Sequence, residues 1–453
     1  MSTRRAVVTG LGCVSALGAS ATELWENMKK GRSGIRTVDA YREFPASVFA
    51  PVDLPSSVLV GDVAPEVRRN LTRPMELLYS AVREALGQAK LLGVTDTLPV
   101  GLIAGTTANY PVEMEPEAVA GFYTADDEID WPKGPEALLQ YYACSKDATD
   151  GGVDWAKFLR THAYPRNHML RHMTNLLTCF PAMHFRLRGV NQTIHNACAS
   201  GTQAVGAAFR LIKHGRAEVV LAGGTDTLVN WAGVTALAKL GVLSPQPDPT
   251  KACRPFDAKR DGLVLGDGAG ILVIESLESA ERRGAPILAE VVGFGSTANA
   301  YRITDSPVEG KSASVAITES LREAGIEPKH VDVISAHATS TPQNDLAEAN
   351  AIKRALGDVA TRIPTIAPKA LLGHTLSGAG AVELVAAVRT LQTGFLPPAP
   401  SHREPDPEIN LSVVVEPAQA PVTYLLKNSF GFGGQNGALI LKKWSESAGG
   451  DAR

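Results

Sequence analysis

Three segments of this 453-residue chain return, in the same order, in its second half. Arg5–Gly12 (R-A-V-V-T-G-L-G) is echoed by Ala289–Gly295 (A-E-V-V-G-F-G). Val100–Asn109 (V-G-L-I-A-G-T-T-A-N) is echoed by Asp332–Thr341 (D-V-I-S-A-H-A-T-S-T), and the small-residue run Ala199–Gly215 by Ser377–Gly394. An ordered echo is expected of two similar α/β units fused in tandem. Apolar strands alternating with alanine-rich amphipathic helices imply sheets covered on both faces. The polar stretch Glu275–Ala285 marks a seam, giving an N-terminal half over 1–278 and a C-terminal half over 279–453. Amphipathic helices are expected at about Ala21–Lys30, Pro74–Leu91, Val315–Ala324 and Leu346–Leu356.

Composition narrows the class. With 44% hydrophobic and 20% charged residues the chain is a globular protein. A net charge of -3 gives no field for nucleic acid or a membrane surface. Five cysteines at irregular spacing form no C-x-x-C pair, so neither a metal site nor a disulfide framework is expected, and a reducing, cytoplasmic setting fits. Arg4 and Arg5 precede an apolar stretch broken by Gly10, Gly12 and Gly18, which reads as a buried strand and turn, not a signal peptide. One segment, 111–165, interrupts the pattern. It is acidic early and carries eight aromatics, which marks an ordered excursion packed on the body.

The chemistry gathers in four places. Cys198 sits in H-N-A-C-A-S-G, between a short apolar rise and an apolar-striped helix. The positive end of that helix would favour a thiolate and lower the thiol's pKa, although a buried, inert cysteine suits the same position. His337 lies just past the apolar strand 331–334, where ligands bind in open α/β sheets, with the hydroxyls of Thr339 and Thr341 beyond it. Lys369, His374 and Glu383 are the strongly polar side chains of an otherwise small, apolar run, and Lys369 with Glu383 would form the pair that buried charge requires. Asn428–Asn436 (N-S-F-G-F-G-G-Q-N) allows close approach of backbone to a ligand. A helix-tip cysteine and two histidines are the parts needed for thioester chemistry.

These segments, with R-P-F-D-A-K-R-D-G-L-V-L-G-D-G-A-G at Arg254–Gly270, resemble the signatures of the elongating β-ketoacyl-[acyl carrier protein] synthases, type II ketosynthases of the thiolase superfamily. The resemblance implies a five-layered α-β-α-β-α fold of two related halves and a homodimer, with a heterodimer left open. It implies no metal and no cofactor, the substrates being carried on an acyl carrier protein. Carried over to this chain, Cys198 resembles the acyl-accepting nucleophile. His337 and His374 resemble the pair that assists decarboxylation of a malonyl thioester, and Lys369 and Glu383 the pair supporting them. The backbone of Cys198 and Phe432 matches the oxyanion hole, and Phe432 the gate between acyl and malonyl sites. Thr339 and Thr341 match pantetheine contacts. Arg68, Arg69 and Arg73 look like a docking patch for an acidic carrier, although a solvated basic face reads equally well.

The sequence departs from the family pattern in several places. His195 and Asn196 replace smaller residues before the cysteine, Ala338 stands where glycine commonly follows the first histidine, and Gln435 where threonine is usual. The excursion 111–165 follows a strand whose end helps line the family's acyl pocket, which implies a reshaped pocket or interface and an unusual primer or partner. The rival reading is a non-catalytic chain-length-factor-like subunit; such proteins lose the cysteine that this chain keeps. A degradative thiolase would need a cysteine beyond Cys253, and none follows. Chain-initiating synthases usually carry asparagine where His374 stands.

Overall fold

The computed structural model describes residues 4–107 and 173–445, so the excursion 111–165 and the tail past Ser445 lie outside the described residues. In the first half the strands are β1 (Ala6–Ser15), β2 (Val100–Gly105), β3 (Asn191–Ile194), β4 (Val219–Asp226) and β5 (Gly268–Ser276). In the second they are β6 (Ala289–Ala298), β7 (Val333–Ser335), β8 (Pro364–Ile366), β9 (Tyr424–Gly431) and β10 (Gln435–Lys443). The strand order is β3-β2-β4-β5-β1 in one half and β8-β7-β9-β10-β6 in the other, with the short strand Ser412–Val413 added beside β8. Pairing repeats as well. The first three strands of each order are parallel, and the next two join antiparallel. The echo read from the sequence is therefore a repeat of topology.

Strands β1 and β6 meet antiparallel through Ala6↔Val291, Val7↔Glu290 and Val8↔Ala289, which makes one continuous sheet of eleven strands. Helices α1 (Arg73–Gln88) and α2 (Leu176–Phe185) cover one outer face. Helix α3 (Ser200–Lys213) follows in the chain, and helices α4 (Lys311–Ala324) and α5 (Pro342–Leu356) cover the other outer face. Between the halves lie α3 and α6 (Ala379–Thr393), each packed on strands of both. The result is the five-layered α-β-α-β-α arrangement. Its apolar clusters follow the layers, with Val205, Phe209, Leu384 and Val388 in the middle, Leu78 and Leu221 on one side and Ile317 and Ile352 on the other.

Local chemistry explains the elements. β1 is buried along its whole length, as its uninterrupted apolar character requires. α4 and α5 begin four residues earlier than the apolar periodicity suggested, at Lys311 and Pro342. Proline at the first helical position loses no hydrogen bond, and this sets the start of α5 after Thr341. The polar stretch at the seam is a short helix, Leu277–Arg282, tied down by the buried Glu275. That carboxylate accepts from Arg283, Ser279 and Thr9.

Candidate active site

The two central helices bring the site together by crossing at their N-termini. A Cβ on Gly201 would lie 2.8 Å from the Ser377 carbonyl and 2.9 Å from the Ala381 nitrogen, so the crossing requires glycine there. Cys198 sits in a 3-10 turn, Ala197–Ala199, just ahead of α3. Ser200 Oγ accepts from the Asn196 N–H at 2.8 Å and donates to the Ala197 carbonyl at 2.7 Å; Ser377 Oγ donates to the same carbonyl at 3.0 Å. From the opposite side, a Cβ on Gly431 would stand 2.7 Å from the Asn196 carbonyl and 3.2 Å from the Cys198 nitrogen. The N-S-F-G-F-G-G segment thus lies directly against the cysteine turn.

The histidines arrive on two loops of the second half. His374 Nε2 is 3.1 Å from Cys198 Sγ, and its ring centre is 5.3 Å from that of His337. Its backbone is fixed by Val264, whose carbonyl accepts the His374 N–H at 2.6 Å. His337 packs edge-on against Phe430, and the buried Glu348 holds its loop, accepting from the N–H groups of His337 and Ala338 at 2.7 Å each. Lys369 donates to Glu383 Oε1 at 2.6 Å and to the His337 carbonyl, and its Nζ is 3.4 Å from His337 Nδ1. An ammonium can only donate, so Nδ1 accepts and the ring's N–H is on Nε2. His374 Nδ1 is buried with no hydrogen-bond partner, so neither tautomer of that ring is locked.

Cys198, His337, His374, Thr339, Thr341 and Phe432 all line one cavity of about 200 Å³. Leu240, 53% exposed, also lines it, so the cavity reaches the surface. Thr339 Oγ1 and Thr341 Oγ1 are 2.9 Å apart. The backbone N–H groups of Phe432 and Cys198 both act on the sulfur.

The electrostatics correct one expectation. Burial pushes the Cys198 thiol up, to about 12; Lys369 and the two N–H groups pull it down, and Asp226 pushes it up. Desolvation outweighs the helix end. Burial, with help from Lys369 and Lys427, holds both imidazoles well below the ordinary histidine range. The resting site is a neutral thiol beside two neutral imidazoles.

The arginines divide. Arg73 does not present a free guanidinium, because it pairs with Glu76 at 2.8 Å and donates to the carbonyls of Val52 and Leu54. Arg68 is half-buried and donates to the Val63 carbonyl, while Arg69 is exposed. None of the three lines the cavity. Three charged residues around the site escaped the sequence reading, namely Glu348, Asp226 and Lys427. Asp226 accepts from the backbone of Ser377 and Thr107. The signal for Lys427 was present, since a charge directly after Leu425 and Leu426 in an apolar strand must be paired.

Residues 3–280 match the family model for the β-ketoacyl synthase N-terminal domain, and residues 288–402 that for its C-terminal domain. The chain belongs to the β-ketoacyl synthase family. Relatives of this synthase include the 3-oxoacyl-[acyl-carrier-protein] synthase 2 of Staphylococcus aureus (strain COL), 33% identical over 97% of this chain and 99% of that one. That of Synechocystis sp. is 32% identical over 97% and 98%. Among solved structures, the synthase resembles the ketosynthase of a type II polyketide synthase in complex with its acyl-carrier protein, AntDE:AntF, bound to the hexaketide. The TM-score is 0.81, with 29% identity over 98% of this chain and 100% of that one. The ishigamide ketosynthase/chain length factor gives 0.79 and 30% over the same shares.

Proposed function

We propose that this chain is a β-ketoacyl-[acyl carrier protein] synthase that lengthens an acyl chain by decarboxylative Claisen condensation with malonyl-carrier, in fatty acid or polyketide elongation. The observation that carries the reading is the 3.1 Å approach of His374 Nε2 to Cys198 Sγ, with a second neutral imidazole beside it in one cavity.

Each step then has a group. His374 takes the thiol proton as Cys198 attacks the acyl thioester and returns it to the departing carrier thiolate, which leaves as the thiol. The N–H groups of Cys198 and Phe432 stabilise the oxyanion of that addition. Malonyl-carrier then enters past Thr339 and Thr341, which accept and donate along its pantetheine arm. As CO₂ departs, negative charge builds on the thioester oxygen, and the Nε2–H of His337 and His374 donate to it. The carbanion attacks the acyl-cysteine carbonyl, and the thiolate of Cys198 is expelled and takes a proton from solvent, which restores the thiol. Lys369 and Glu383 act as positioning residues. The Lys369 ammonium fixes the His337 tautomer and Glu383 fixes the ammonium.

No cofactor is needed, since the electron pair comes from the C–CO₂ bond. The partners are an acyl carrier protein and a second ketosynthase-type subunit, as homodimer or heterodimer; Arg68 and Arg69 are the basic groups offered to the carrier. The matches of separate family models to 3–280 and 288–402 support halves over 1–278 and 279–453. Among the described residues Cys13, Cys179, Cys198 and Cys253 are free thiols, and no helix is long and apolar enough to cross a membrane, which supports a cytoplasmic site of action.

The test offers acyl-carrier thioesters of varied length, seeks an acyl adduct on Cys198 by intact mass, and then adds malonyl-carrier. An adduct discharged as a β-ketoacyl product is expected. An adduct that malonyl-carrier leaves untouched, or none with any chain length, overturns the reading.

A further inference from the structure

We propose that Lys427 is a second positioning residue of the condensation site, clamping Glu383 opposite Lys369 and adding a positive charge beneath the two imidazoles. The inference rests on the reading of the site as a condensing centre.

Lys427 lies within β9 and is wholly buried. Its Nζ is 2.6 Å from Glu383 Oε2, while Lys369 Nζ is 2.6 Å from Oε1 of the same carboxylate. The ammonium also donates to the Asn428 carbonyl. Two ammoniums therefore share one carboxylate. The remaining charged or titratable groups around Lys427 are Glu348, His337 and His374. Burial pushes Glu348 up to about 7, so it supplies at most a partial balancing charge near neutrality.

One lysine is enough to neutralise Glu383. Burial holds the second ammonium below the ordinary lysine range, with Lys369 adding to the shift, and Glu383 and Glu348 offset that cost only in part. The surplus positive charge has a use when the substrate brings a carboxylate and leaves an enolate. It opposes protonation of both rings, which leaves His374 able to accept the thiol proton and both rings able to donate one N–H. It also favours every anion that forms in the cavity.

The experiment compares wild type with Lys427→Met and Lys427→Gln, measuring malonyl-carrier decarboxylation from pH 5 to 9 together with the melting temperature. Removing the charge lets the imidazoles protonate more readily, so the acid limb of the profile should move up by about one pH unit. A rate lowered equally at every pH, with the acid limb unmoved, assigns Lys427 a merely structural role and overturns the proposal. Should neither variant fold, the wild type decides. The ¹³C ring signals of His337 and His374, assigned through His→Asn variants, should stay in the neutral position down to pH 5. A midpoint near the ordinary value of about 6.5 overturns the proposal. A wild type that fails to decarboxylate malonyl-carrier at any pH defeats the functional reading instead, and the difference in ring titration between wild type and Lys427→Met then judges Lys427 without substrate.

Discussion

The Lys369 ammonium shows how much a single buried charge can organise. It holds Glu383, the His337 carbonyl and His337 Nδ1 at once, and so decides which ring nitrogen faces the cavity. Lys369→Met should therefore cost malonyl decarboxylation far more than acyl transfer. The ratio of single-turnover rates for the two half-reactions checks this. His337→Asn should keep the Cys198 adduct in intact mass spectra while lowering decarboxylation by about 10²–10³-fold, the usual loss for one oxyanion donor. Ala338 adopts φ 48°, in the left-handed region where glycine is at ease. The departure from the glycine common at this position thus leaves a strained residue beside His337. Ala197, beside the nucleophile, does the same at φ 46°. Ala338→Gly should retain activity and change stability by no more than about 1 kcal/mol in chemical denaturation, relief of strain being set against added chain entropy.

At the scale of elements, much of the architecture was legible because the repeat, the buried strands and the helix stripes are local patterns. Cys198, His337 and His374 could be found because each stands in a turn of small residues at the end of a strand or helix. The thiol's upward shift was not legible. A helix end is visible in sequence, but the depth at which other strands bury it is not. The partners of Arg73 were equally hidden, since Val52 and Leu54 lie on a loop whose path the sequence does not reveal. The helix crossing and the close approach of β9 are equally non-local, yet glycine marks both. Gly201→Ala should press on the Ser377 carbonyl, part α3 from α6, and destabilise the fold by about 1–3 kcal/mol. Acylation of Cys198 should fall with it. Gly431→Ala, by contrast, should disturb the cysteine turn with little change in far-UV circular dichroism.

Across the whole molecule, burial sets a dependence of stability on pH. Asp226 is pushed up to about 6, and Asp267 and Glu348 to about 7, in each case chiefly by desolvation. Unfolded carboxyls ionise near their ordinary values of about 4. Below that pH both states are protonated and the contribution to stability is full. As pH rises through 6–7 the unfolded chain has already released protons that the folded chain still holds, and the contribution is lost. The buried, neutral His337 and His374 act in the opposite sense, adding stability as pH rises to about 6.5, so the melting temperature should decline only gently from pH 5 to about 7.5 and then level. Asp267→Asn should flatten that decline, and scanning fluorimetry across buffers reads both.

Three residue pairs stitch β1 to β6, and the two inner helices are each packed on strands of both halves. A chain severed in the loop at Gly284 would yield two pieces, each with an oily inner wall and no complete pocket. Neither would be expected to survive alone, whereas expressed together they should find one another and regain the site, because the nucleophile travels with one piece and both imidazoles with the other.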